Sequence, residues 1–277
     1  MSASDLIEVR RYGGGGPPVA LLHGGPGAPG SMASLAWELA GRFTVLEPLQ
    51  RRSGGAPLTV ARHVEDLAAV LPEGAALVGW SWGAMLALSF AAAHPEWARS
   101  LALVGCGTYD AESRGLYQNA LAARLGEAGL RRVEELRRRL AGTAGAQGDR
   151  LLAALGHLME EAQAYDPLPE TGDPVRVDRQ GNEETWGDVL RLQAEGVEPA
   201  AFAAITCPVR MLHGGDDSHP GPATFALLRR YVPQLQYRGF PRCGHRPWAE
   251  RHAREPFLAA LAEWLAAPGE GRAGPAA

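Results

Sequence analysis

The pentapeptide Gly79-Trp80-Ser81-Trp82-Gly83 constrains this chain more than any other feature. An apolar run over residues 75–79 leads into it, and an Ala-rich helical pattern over 85–93 follows. A serine where a buried strand meets a helix has to occupy a very sharp turn, and flanking glycines let neighbouring backbone approach with no Cβ in the way. Such a turn lifts the hydroxyl above the sheet. It also sets the hydroxyl at a helix N-terminus, where free N–H groups and the helix dipole favour developing negative charge. Ser81 is therefore the candidate nucleophile.

The rest of the chain supplies the sheet that this turn needs. Strand-like runs at 6–12, 19–22, 43–46, 75–79 and 101–104 alternate with helical stretches. In the stretch at 59–71, Val60, Val64, Leu67 and Leu71 share one face, and Thr59 is placed to cap the helix. Further strands at 209–212 and 235–240 enclose a helix near 223–231, and a last helix covers 257–265. Strands separated by helices predict an α/β fold with a mostly parallel central sheet flanked by helices. Residues 110–200 break this rhythm: they are rich in Ala, Arg, Glu and Leu and carry no strand pattern. Glu134/Arg138 and Glu135/Arg139 sit there at i,i+4, as on a solvated helix face. The expected organisation is a core built from 1–106 and 206–268, a helical cap at 107–205, and a disordered Gly/Ala/Pro tail at 269–277. No internal repeat is visible.

A serine hydroxyl is a weak nucleophile and needs a base that is itself oriented by a third group. In this strand-to-helix arrangement the order along the chain is serine, acid, histidine. His245 follows the strand at 235–240, and Asp216 and Asp217 follow the strand at 209–212. Asp217, four residues after His213, is the preferred acid because its loop must turn back toward the histidine; Asp216 is the alternative. The other histidines read as structural or surface residues: His23 as a loop support, His213 as a core residue, and His63, His94, His157, His219 and His252 as surface. Two N–H groups must receive the oxyanion. Trp82 supplies one, and Gly25 in the loop His23-Gly24-Gly25-Pro26-Gly27 supplies the other. Trp80, Trp82, Trp186 and Trp248 offer an aromatic lining.

Composition narrows the partners. The 277 residues are 46% apolar and 21% charged, ordinary for a globular chain with one large core. A net charge of −4 argues against nucleic acid. Three scattered cysteines make neither a disulfide framework nor a zinc site. Asp5, Glu8, Arg10 and Arg11 leave no apolar leader, and the longest apolar stretch is about half a membrane span. The expectation is a cytoplasmic protein without membrane, metal or cofactor, acting on a small molecule or short peptide.

Together these motifs resemble the proline iminopeptidase branch of the α/β-hydrolases. The likeness rests on His23-Gly-Gly-Pro-Gly27, Gly79-Trp-Ser-Trp-Gly83 followed by Met85-Leu-Ala-Leu88, His213-Gly-Gly-Asp-Asp217, and Cys243-Gly-His-Arg-Pro-Trp-Ala-Glu250. It implies an α/β-hydrolase fold with an inserted cap, Ser81, Asp217 and His245 as the triad, and Gly25 and Trp82 as oxyanion donors. It further implies an aminopeptidase that releases N-terminal residues, with acidic cap residues holding the free amine; Glu183 and Glu184 near Trp186 are the candidates. A carboxylesterase or lactonase is the alternative, because the triad does not select the acyl group. A non-catalytic binding protein on the same scaffold would show a broken triad. One stretch departs from the family pattern: Leu49-Gln50-Arg51-Arg52-Ser53-Gly54 lacks the aspartate and first glycine expected after the third strand.

Overall fold

The computed structural model describes residues 6–169 and 175–267; the tail expected at 269–277 lies outside them. Seven strands form one sheet: β1 (Val9–Tyr12), β2 (Pro18–Leu22), β3 (Thr44–Pro48), β4 (Ala76–Trp80), β5 (Ser100–Val104), β6 (Val209–Gly214) and β7 (Gln236–Phe240). Their spatial order is β1-β3-β2-β4-β5-β6-β7. Only the edge strand β1 runs antiparallel, against β3; every other pairing is parallel.

The central strands β4 and β5 are buried at every position and mostly apolar because both faces are covered. In β4, Leu77 enters one core while Ala76, Val78 and Trp80 enter the other; in β5, Leu101 and Leu103 part from Ala102 and Val104 in the same way. On the first face lie α2 (Val60–Val70) and α3 (Trp82–Ala93); on the second lie α1 (Ala33–Leu39) and α8 (Arg254–Ala266). The helix α7 (Gly221–Leu228) connects β6 to β7. Thr59 caps α2 as its sequence predicts, its hydroxyl accepting the Arg62 N–H at 3.1 Å, a contact worth about 1 kcal/mol. From Trp82 to Ala91 every residue of α3 is buried. A helix apolar on all sides belongs at the centre of a core.

Between the neighbouring strands β5 and β6 the chain makes three longer helices: α4 (Ala111–Ala141), α5 (Gly145–Gln163) and α6 (Arg179–Ala194). The arginine-rich stretch at 131–140 is the second half of α4, which is broken at Gly126. Arg139 and Arg132 pair with Glu135 at 3.6 and 2.7 Å, on an exposed face. No described helix is long and apolar enough to cross a membrane.

Three details differ from the sequence reading. Helix α1 is absent from that reading: it is short, lacks a side-chain cap and follows a Gly/Pro loop, although Met32, Leu35, Ala36 and Leu39 stand at helical spacing on its buried face. The strand expected at 6–12 is confined to Val9–Tyr12. His63, expected at the surface, is 3% exposed, lies 3.0 Å from Thr185 Oγ1, and is held neutral by burial that lowers its pKa to about 4.

All three cysteines are free and buried. Burial raises Cys106 to about 12 and Cys207 to about 11, and pushes Cys243 up as well. Since the thiolate is the reactive species, native protein should leave all three thiols unreacted with an aromatic disulfide reagent, and unfolded protein should expose all three. Rapid reaction of Cys243 in the native state would contradict this burial.

Candidate active site

The turn after β4 is strained where it matters. Ser81 has φ 55° and ψ −116°, one of two described non-glycine residues at positive φ. Such a conformation costs on the order of 1–3 kcal/mol and persists only when its surroundings enforce it. Here the enforcement is visible. Ser81 N–H donates to Val104 O at 2.8 Å, and the Ser81 carbonyl accepts from Ala84 N–H at 3.0 Å as α3 begins. A Cβ on Gly79 would collide with the Gly83 carbonyl, and one on Gly83 with the Leu22 carbonyl. The turn is therefore closed to other residues on both sides of Ser81.

The other groups come from the carboxyl ends of neighbouring strands, where parallel α/β sheets place their sites. After β7, His245 lies against the turn. Trp80 Nε1–H donates to His245 O at 3.0 Å, and their rings sit 5.5 Å apart. On the other side the His245 ring rests on Gly105, which follows β5; a Cβ there would come within 2.9 Å of the ring. After β6, Asp217 Oδ2 accepts from His245 Nδ1 at 2.7 Å. Asp216, the alternative, instead accepts the Cys243 N–H at 3.3 Å.

The Asp217 side chain is fully buried. Burial alone would raise its pKa, but His245 and His219, by charge and hydrogen bond, outweigh it and hold the carboxyl well below the usual range. His219 is the main correction to the sequence reading, which put it at the surface. Its backbone N–H and its Nδ1 meet Asp217 Oδ1 at 2.9 and 3.1 Å. Its ring stacks on His245 at 4.4 Å and on Tyr117 of α4 at 4.3 Å. His213, 1% exposed, donates from Nε2 to the His219 carbonyl at 3.0 Å; burial lowers its pKa. Asp217, His219 and His245 present ligand atoms close enough to hold a metal ion, but the short Asp217–His245 contact already uses the facing atoms as a hydrogen bond.

The loop after β2 faces the turn. Gly25 is exposed, between buried Gly24 and Pro26, with φ 48°, and its carbonyl accepts the Ala28 N–H at 3.1 Å. His23 steadies the loop, Nδ1–H donating to Gly24 O at 3.0 Å, and burial lowers its pKa to about 4. Trp82 is the first residue of α3, a position whose N–H has no partner within the helix. Gln50, after β3, links the two: its amide donates to His23 O at 3.4 Å, and its Oε1 accepts Trp82 Nε1–H at 2.8 Å.

Among the aromatic candidates, Trp80 and Trp248 meet edge to face at 5.5 Å and line a cleft of about 1400 Å³ with Gly24, Gly25, Asn182 and Arg246. Trp186 packs on Trp82 at 6.3 Å, behind the turn. Glu183 and Glu184 are not brought to this cleft. Glu183 pairs with Arg179 at 2.7 Å and is half exposed; Glu184 accepts the Leu58 N–H at 2.9 Å and the Gln180 amide at 2.7 Å. One residue earlier on α6, Asn182 does reach the site, donating to Pro26 O at 2.7 Å. The departing stretch after β3 has its own partners: Arg51 forks onto Asp66, and Ser53 bonds the Asp178 carboxylate through N–H and hydroxyl at 2.6 and 2.8 Å.

Residues 19–260 match the model of the alpha/beta hydrolase family. The chain belongs to that family. This hydrolase is 30% identical over 265 residues to a pimeloyl-[acyl-carrier protein] methyl ester esterase of Chromobacterium violaceum, covering 91% of this chain and 95% of that one. It is 26% identical over 244 residues to the enzyme of the same name from Aromatoleum aromaticum, covering 84% and 92%. Among solved structures it is similar to a thermophilic esterase from Thermogutta terrifontis, with a TM-score of 0.61 and 21% identity, covering 94% and 92% of the two chains. The iminopeptidase branch stays a resemblance of motifs.

Proposed function

We propose that this hydrolase cleaves carboxylic esters through an acyl-enzyme on Ser81. The observation that carries the reading is the buried Asp217 carboxylate 2.7 Å from His245 Nδ1, with the imidazole wedged between Trp80 and Gly105 beside the strained Ser81 turn. With Nδ1–H committed to Asp217, His245 presents Nε2 as the basic nitrogen. It takes the Ser81 proton as Oγ attacks the ester carbonyl. The N–H groups of Gly25 and Trp82 receive the oxyanion. His245 then protonates the departing alcohol, and water repeats the sequence to release the acid.

For the substrate we favour an alkyl ester on an extended acyl chain. Two relatives are named for the methyl ester of a pimeloyl group on acyl-carrier protein, and the cleft lined by Gly24, Gly25 and Trp80, next to the Ser81 turn, has the volume for such a chain. The aminopeptidase reading loses its anchor, since both acidic candidates are engaged elsewhere. Purified enzyme should hydrolyse p-nitrophenyl butyrate and a pimelate methyl ester, and leave L-proline p-nitroanilide essentially untouched. Efficient anilide cleavage with idle esters would reverse the assignment.

A further inference from the structure

A histidine on the second oxygen of the acid is absent from the mechanism above, yet the loop after β6 is built around it. Asp217 meets imidazoles on both oxygens: Oδ2 accepts from His245 at 2.7 Å, with His213 Nε2 3.3 Å away, and Oδ1 accepts from His219 at 3.1 Å. Because a carboxylate only accepts, Nδ1 of His245 and of His219 is a donor. These two rings are nearly parallel, 4.4 Å apart with 19° between planes. They hang side by side from one carboxylate, with both Nε2 atoms on the far side of the rings from Asp217.

We infer that His219 is a positioning residue for the Asp217–His245 pair. Its two N–H donors lock Oδ1, which fixes the carboxylate rotamer and leaves Oδ2 aimed at His245. Its ring, held between His245 and Tyr117, sets the plane of the His245 imidazole. The support is layered. His213 Nε2 holds the His219 carbonyl, the Gln163 amide donates to the Tyr117 hydroxyl at 3.0 Å, and the His245 N–H donates to the Gln163 carbonyl at 3.1 Å. The inserted helices α4 and α5 thus brace the imidazole stack from outside the sheet. Burial and the neighbouring His245 keep His219 neutral, so the stack carries one positive charge and not two when His245 is protonated.

This inference rests on Ser81, Asp217 and His245 being the reacting groups. The test therefore runs Ser81→Ala and His245→Ala beside two variants of His219, on p-nitrophenyl butyrate across a pH series. His219→Phe keeps a ring in the stack and removes the Nδ1 donor. His219→Asn keeps a donor at the Nδ1 position and removes the ring. The titratable groups facing His219 are Asp217 and His213 on its own side, His245 after β7 and Tyr117 from α4, and all are unchanged in both variants. With one donor lost, Asp217 carries more charge for His245, so the protonated imidazole is favoured. In His219→Phe the acid limb of kcat/KM should move up by about half a pH unit or more, and kcat should fall about tenfold, the scale of one hydrogen bond to a charged group. KM should stay within about twofold. His219→Asn should restore the acid limb and most of kcat, and thermal melts report whether each variant is folded.

The inference is overturned if His219→Phe keeps the wild-type rate and limb. It is equally overturned if both variants lose activity only in step with lost folded protein, with the limb unmoved. Turnover that survives Ser81→Ala and His245→Ala would remove the triad assignment itself, and this inference with it.

Discussion

Ser81→Ala should lower ester turnover by about six orders of magnitude, as loss of the nucleophile does in other serine–histidine–aspartate enzymes, while the protein stays folded. The reasoning starts from the turn. Ser81 occupies φ 55° because Val104 O, the Gly79–Gly83 contact and the start of α3 leave its backbone no other path. Alanine inherits the same backbone and loses only Oγ. The strain remains and melting should shift little, so the lost rate belongs to chemistry. Activity within tenfold of wild type would require another nucleophile. Glycine at this position, free of the Cβ penalty at positive φ, should be equally inactive and at least as stable.

Asp217→Asn should cost about four orders of magnitude in kcat, the scale known for an amide in place of a triad aspartate. The structure shows why the amide cannot adapt. The His219 backbone N–H sits 2.9 Å from Oδ1 and is always a donor, so the amide oxygen must face it. The amide NH2 is then directed at His245 Nδ1. That nitrogen must become an acceptor, which moves the ring proton to Nε2, and the base is lost. Asp216→Asn should cost less than about fivefold, because an amide oxygen can still accept the Cys243 N–H. Steady-state kinetics on the two variants check this directly. A larger loss at Asp216 would transfer the acid role to the neighbouring position.

Much of this site could be read from the chain because its groups announce themselves locally. Gly79 and Gly83 bracket Ser81 and sit between an apolar strand and an apolar helix, a juxtaposition that the sheet realises with little change. The strands were legible for the same reason: β4 and β5, buried on both faces, are largely apolar runs. What stayed hidden depends on contacts between distant segments. Nothing near His219 signals that Tyr117 and His245 will stack on its two faces, so a lone histidine reads as surface. Gln50 gains its place only when the loops after β2 and β4 converge on it. Glu183 and Glu184 show the opposite failure. Acidic residues near a tryptophan look like an amine site, but a helix points one face at a neighbour, and on α6 that face carries Asn182 toward Pro26.

The link between α6 and the oxyanion loop gives the unusual Arg51-Arg52-Ser53 stretch a physical reading. Asp178, the N-cap of α6, takes Ser53 through two hydrogen bonds, and its own N–H donates to Gly27 O at 2.7 Å. The loop that carries Gly25 is therefore tied to the inserted helices as well as to the sheet.

The central claim is that Ser81 forms the covalent intermediate. Its most direct test is intact-mass and peptide-mass analysis of the protein after treatment with a serine-directed fluorophosphonate. One adduct per chain, carried on the peptide containing Ser81 and absent from Ser81→Ala, is the expected result. An adduct on another residue, or none while esters are still hydrolysed, would contradict it.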